Sequence, residues 1–199
     1  HTGFYSGVDI SRLMLQKLRA KHIDEMVAIT QGDVLTLPFG ANSFDAVIIV
    51  HVLHLVADGA QVLREVRRVL KPAGIVLKCQ NSFGDSEDDP IKPIRDAWMH
   101  ATASERRSRD RWYRVENMLS ENGFEAIKPK QIYPYKSQTT PGHFLDRVEQ
   151  RHWSNTWSMP DDVWQLGVNA IKEAITVHFN EDKDTLITQQ SGFEVEVYA

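Results

Sequence analysis

Two histidines three residues apart, His51 and His54, follow directly on an apolar run from Phe44 to Val50. Imidazole has a reference pKa of about 6.5, so a histidine at the carboxyl end of a strand suits general-base work. The spacing would also suit a metal pair, but no cysteine or carboxylate stands at ligand spacing beside it, and no metal is expected. The blander alternative is a histidine that packs under a bound molecule or caps the loop. Asp9 closes a second strand-like run and precedes a helical one. In nucleotide-binding α/β folds a carboxylate there accepts hydrogen bonds from ribose hydroxyls, each worth about 1.5–3 kcal/mol. It can equally cap the helix that begins at Ser11, and the two uses are compatible. Gly32-Asp33-Val34 ends a third run. There a carboxylate could take an adenine amino group while the Val34 N–H meets a ring nitrogen, or the tripeptide is an ordinary turn. Nucleophilic schemes find no support: there is no G-x-S-x-G elbow and no phosphate-binding G-x-x-x-x-G-K-[ST] loop. The single cysteine, Cys79, reads as a small core residue.

The elements that must position these groups centre on residues 44–78. Phe44 to Val50 has the pattern of a strand buried on both faces. Asp58 to Leu70 places Val62, Leu63, Val66, Val69 and Leu70 at helical spacing, with Asp58 as N-cap and Lys71-Pro72-Ala73-Gly74 as the stop. Ile75 to Cys79 is a second buried strand. Strand, helix and strand make a βαβ crossover and require a parallel sheet. Such sheets bind ligands beyond the carboxyl ends of their strands, where His51 lies.

Upstream, Phe4 to Ile10 is a strand. Ser11 to Lys21 is an amphipathic helix with Leu13, Met14, Leu18 and also Leu15 inward, and Met26 to Gln31 is a strand. Downstream, Ile91 to Ala103 and Arg109 to Asn122 read as helices, the latter with Trp112, Val115 and Leu119 on one side and Gly123 as its stop. Glu125 to Tyr135 reads as a strand, Gly142 to Arg151 and Asp161 to Phe179 as helices. Phe193 to Tyr198 alternates in the manner of an antiparallel or edge strand. The acidic stretch from Gly84 to Pro90 reads as a solvated loop. The 199 residues are 42% hydrophobic with net charge −4, enough for one sizeable core and without a basic stripe for nucleic acid. No disulfide framework, secretory signal or membrane-length apolar run is present, which suits the cytoplasm.

From Gly7 to Leu77 the chain resembles the class I S-adenosylmethionine-dependent methyltransferases, in particular the small-molecule branch around ubiquinone and menaquinone biosynthesis. The resemblance rests on GVDIS, GDVLTLPFGANSFDAVIIVHVLH and LREVRRVLKPAGIVL. LPF, SFDAV and RVLKPAG at their proper distances make it specific over a little more than a third of the chain. It implies a Rossmann-like, doubly wound, mostly parallel α/β sheet with an antiparallel last strand and a helical insertion before it. It implies S-adenosylmethionine as cofactor and a small-molecule methyl acceptor. Asp9 would hold the ribose, Ile10 would pack on the adenine, and Asp33 and Val34 would take the adenine edge. Val50 and His51 would line the methionine end, and His54 would face the acceptor. His54, then His51, are the candidate bases. Arg68 and Gly74 match the signature as structural residues, and Ala73 replaces the first of its two usual glycines.

One departure is large. The family's first strand and its glycine-rich turn, which holds the methionine part of the cofactor, have no counterpart here. That strand is central, between the second and fourth, so its absence would leave two strand edges with unpaired groups costing about 1–3 kcal/mol each. An N-terminal truncation of a longer protein is therefore expected. The resemblance divides the chain into a cofactor-binding core (1–90), an insertion covering the acceptor site (91–190) and a returning last strand (191–199). Trp98, Trp112, Tyr113, Phe144, Trp153 and Trp157 lie in the insertion; they favour a flat or apolar acceptor, or simply form the insertion's core. Two other readings stand beside methyl transfer: a degenerate, non-catalytic domain that binds a partner, and a nicotinamide-dependent oxidoreductase.

Overall fold

The computed structural model describes residues 3–21, 27–83, 89–105 and 117–199. The described residues fall into two compact units, one within 1–77, 117–128 and 197–199, the other within 78–116 and 129–196. The strands are β1 (Tyr5–Asp9), β2 (Val27–Gln31), β3 (Phe44–Val50), β4 (Leu70–Phe83), β5 (Gln131–Thr139) and β6 (Ile187–Tyr198). The helices are α1 (Arg12–Arg19), α2 (Gly59–Val69), α3 (Lys92–Ala101), α4 (Pro141–Glu149) and α5 (Asp161–Phe179). The expected helix over 109–122 is described only from residue 117, where residues 117–121 are helical and Gly123 ends them at φ 77°. Trp112, Tyr113, Val115 and most of the acidic loop lie outside the described residues.

One sheet was expected, and the strands form two. β1 and β2 pair in parallel, Tyr5 with Val27 through Asp9 with Gln31. The other four form a sheet in the order β3-β4-β6-β5. Among the described residues no strand pairs with the other edge of β1 or of β3. Residues of both line one apolar cavity of about 230 Å³, which Val62, Val66 and Val69 of α2 also line. The expectation that β3 is buried on both faces is corrected. Ile49 is buried, but Ile48 is 58% exposed and Val50 41%. The inward face expected of α1 is corrected likewise. Leu15 is buried, while Leu13, Met14 and Leu18 are exposed.

Helix α2 follows the reading closely. The Asp58 carboxylate accepts from the Gln61 N–H at 2.8 Å as N-cap, and Val62, Leu63, Val66 and Val69 are buried. β4 begins at Leu70, without the expected break, and Lys71 pairs with Asp45 of β3 at 2.9 Å. Within that stretch Ala73 has φ 63°, a left-handed conformation that costs a non-glycine residue about 1–2 kcal/mol. The backbone therefore explains the glycine usual at this position. Ala73→Gly should stabilise the protein by about 0.5–1 kcal/mol after glycine's own entropy cost, seen as a higher urea midpoint.

In the second unit β5 and β6 are antiparallel, Gln131 against Val195 through Thr139 against Ile187. β6 is antiparallel to β5, one of the two readings its alternation allowed, and β5 and β4 flank it. Its acidic residues are used within the sheet: Glu196 pairs with the buried Lys78 at 2.9 Å, and Glu194 accepts from Gln80 and Lys130. The helical insertion before β6 comprises α4 and α5. These helices and α3 enclose Ile94, Trp98, Leu145, Val148, Val168 and Ile171, with Phe144 and Trp153 packed against them. Most of the insertion's described aromatics are thus core, and Trp157 is exposed. Gly167 lets α5 approach α3: a Cβ there would run into the Trp98 ring and lie 2.8 Å from Thr102 Cγ2. Gly167→Ala should gain about 1 kcal/mol in helix propensity and lose about 1–3 to overpacking. A lower melting temperature, restored in part when Trp98→Leu is added, is the expected result.

Candidate active site

All the candidate residues lie at or just past the carboxyl ends of β1, β2 and β3. Asp9 is the last residue of β1, and its Oδ1 accepts from the Ser11 N–H at 2.7 Å. The cap of α1 is Ser11 itself, whose Oγ accepts from the Met14 N–H at 3.3 Å. Asp9 is therefore committed through one carboxylate oxygen to the turn, and Oδ2 is the one available to a hydroxyl. Ile10 beside it is 68% exposed, an open apolar platform.

The β1–β2 ladder continues one residue further, with Gly32 N donating to Asp9 O at 3.2 Å. Glycine is needed at this point because a Cβ would sit 3.1 Å from both Val8 Cγ1 and Pro38 Cδ. The bond fixes Asp33 close along the chain to Asp9. Asp33 Oδ1 accepts from the Leu35 N–H at 2.9 Å, and its carbonyl accepts from Thr36 N at 3.1 Å, forming a tight turn. The structure thus brings Asp9 and Ile10 together with Asp33 and Val34.

The loop after that turn is held by α2. Gln61 Nε2 donates to Leu35 O at 3.1 Å, and Glu65 Oε2 accepts from Leu37 N at 2.7 Å. Arg68 donates to Leu37 O at 3.0 Å and to Phe39 O at 2.7 Å, and also to both oxygens of Glu65. The bonded guanidinium holds the Glu65 carboxyl below its ordinary pKa. Sequence reading took Arg68 as structural and passed over Gln61 and Glu65. The available signal was their i, i+4, i+7 spacing, a polar stripe on one side of α2.

At the end of β3, Val50 is partly exposed and His51 has φ 51°, a left-handed conformation for a non-glycine residue. Leu53 is buried and anchors the segment, and Leu55 N closes a turn on Val52 O at 2.8 Å. The His51 and His54 rings meet edge to face with centroids 6.5 Å apart. Burial pushes the His51 pKa down, so its imidazole is neutral at neutral pH and able to accept a proton. The native state then resists a proton that the unfolded chain takes up below about pH 6.5. The stability linked to His51 should be present above that pH and fall as pH drops through the lowered native pKa. His51→Gln should flatten the fall in denaturant midpoint between about pH 7 and 5.

Val34 and Val52 line the same cavity as β1, β3 and α2, whereas Asp9, Asp33, Val50, His51 and His54 do not. The structure therefore forms two clusters, Asp9-Ile10 with Asp33-Val34 and His51 with His54. A shared cavity lining links them through their neighbours.

Residues 2–77 match the family described as methyltransferase domain. Over these residues, fewer than half of the chain, it is similar to class I S-adenosylmethionine-dependent methyltransferases. It is similar to demethylmenaquinone methyltransferase of Staphylococcus saprophyticus, 40% identical over 83 residues, covering 41% of this chain and 36% of that protein. It is also similar to the Staphylococcus aureus enzyme of the same name, 42% identical over 82 residues, covering 41% and 34%. The chain thus spans about a third of the length of these curated relatives. Two solved structures share the fold of this chain. A protein from Anaeromyxobacter dehalogenans, assigned as a type II methyltransferase, gives a TM-score of 0.64 at 13% identity, over 98% of this chain and 79% of that one. A Bacillus halodurans protein, assigned as a methyltransferase, gives 0.51 at 17% identity, over 97% and 81%. The expected α/β fold of methyltransferase type is therefore present. Among the described residues, no helix is long and apolar enough to cross a membrane.

Proposed function

We propose that the chain transfers a methyl group from S-adenosylmethionine to a small-molecule acceptor by in-line displacement. The observation that carries this reading is the joined pair of strand ends. Asp9 offers Oδ2 beside the exposed Ile10, and the Gly32–Asp9 bond holds Asp33-Val34 next to them. Those are the donors and acceptors a nucleoside needs: a carboxylate for the ribose, an apolar platform for the base, and a second carboxylate with a backbone N–H for its edge. The bound sulfonium supplies an activated methyl group. The chain's own residues bind the nucleoside, align the acceptor and exclude water, and alignment alone can lower the barrier by about 7–11 kcal/mol. Val50 and His51 line the methionine end, and His54, with His51 second, accepts a proton when the acceptor must lose one. Quinone-like aromatic acceptors are the class that the staphylococcal relatives suggest.

The competing reading is a partner-binding domain without catalysis. Calorimetric titration with S-adenosylmethionine and, separately, NAD distinguishes them. Micromolar binding of the sulfonium compound alone is expected. A folded protein that binds neither would overturn methyl transfer and favour the partner-binding domain.

A further inference from the structure

We infer that Gln61, Glu65 and Arg68 are positioning residues for adenine recognition. From α2 they grip the backbone of residues 35–39 and so fix where Asp33 and Val34 present themselves. The inference rests on the cofactor reading above and adds to it a determinant outside the nucleoside contacts.

Three side chains on one stripe of α2 take four backbone atoms of this short loop: Leu35 O, Leu37 N, Leu37 O and Phe39 O. Arg68 is itself held through Glu65 by paired bonds of 2.7 and 2.8 Å, so its planar fork is preorganised. The far end of the loop is tied to the same helix, since Asn42 N donates to Arg68 O and Ser43 N to Val69 O. The near end is the Asp33 turn, where Asp33 Oδ1 holds Leu35 N. Leu35 thus lies between the carboxylate that would read the base and the helix that holds the loop. A surface loop needs no such set of bonds for packing, because solvent would satisfy the same carbonyls. The neighbouring Arg67 provides the contrast. It bonds Asn122 O and Gly123 O and stacks on Phe124, serving a different segment.

The test compares S-adenosylhomocysteine with S-inosylhomocysteine, whose base carries an oxo group in place of the amino group that Asp33 would accept. The parent should prefer the adenine compound by about tenfold or more, the worth of one hydrogen bond to a charged group. Glu65→Ala and Arg68→Lys should lower that preference by about tenfold, and Glu65→Ala should speed amide exchange at Leu37. Arg67→Ala should leave the preference unchanged. A change confined to stability would not move a ratio of two affinities measured on the same folded protein. An unchanged ratio in both variants, with a parent that discriminates, overturns the positioning role alone. Unchanged exchange at Leu37 in Glu65→Ala overturns the grip. A parent that binds neither compound overturns this inference together with the cofactor reading.

Discussion

Asp9→Ala should weaken S-adenosylmethionine binding by about a hundredfold to ten-thousandfold. A carboxylate that accepts from two ribose hydroxyls makes two charge-assisted bonds of about 1.5–3 kcal/mol each, and each 1.4 kcal/mol is a factor of ten. Alanine also removes the acceptor for Ser11 N, so the start of α1 is disturbed at the same time. Asp9→Asn separates these effects, because its side-chain oxygen still serves the Ser11 N–H while the charge is lost. Calorimetry should show weaker binding in both variants, with a lower melting temperature in the alanine variant alone. Binding within threefold of the parent in Asp9→Asn would show that the ribose is held elsewhere.

His54→Ala should lower the turnover number by about 10²–10⁴-fold, the usual worth of a general base, with cofactor affinity within about threefold of the parent. The split follows from position. His54 lies four residues beyond the end of β3 and against the His51 ring. Because His51 is kept neutral by burial, it is the residue that could substitute, and the double replacement should remove any remaining pH dependence of turnover between about pH 5 and 7. Steady-state rates at saturating cofactor, beside a titration of the cofactor, check both numbers. A turnover equal to the parent's would make the pair a packing contact.

The parts of the fold that were legible are those fixed by nearby residues. Phe44–Val50 and Asp161–Phe179 coincide with their strand and helix, and Asp58 caps α2 because its acceptor reaches Gln61 N three residues on. What failed was burial, which depends on neighbours distant in sequence. Ile48 and Leu13 have the composition of buried residues yet are exposed. β6 is antiparallel, one of the two readings its alternation allowed, and its acidic residues meet Lys78 and Lys130 rather than solvent. In the site, the acidic residues at strand ends could be named from position. The grip of α2 on residues 35–39 could not, because backbone carbonyls carry no sequence label. The left-handed His51 gave no signal either, as any residue type there would look like the start of a loop.

The open edge of β3 bears on how the protein behaves when concentrated. FDAVIIV is a seven-residue segment of high β propensity without proline, and its single charge, Asp45, is paired with Lys71 at the start of the strand. From Ala46 to Val50 no gatekeeper interrupts it, and Ile48 and Val50 are solvent-facing. Such an edge is a template on which another chain can add a strand and continue the ladder. A lysine in place of Ile48 would put a charge inside that segment.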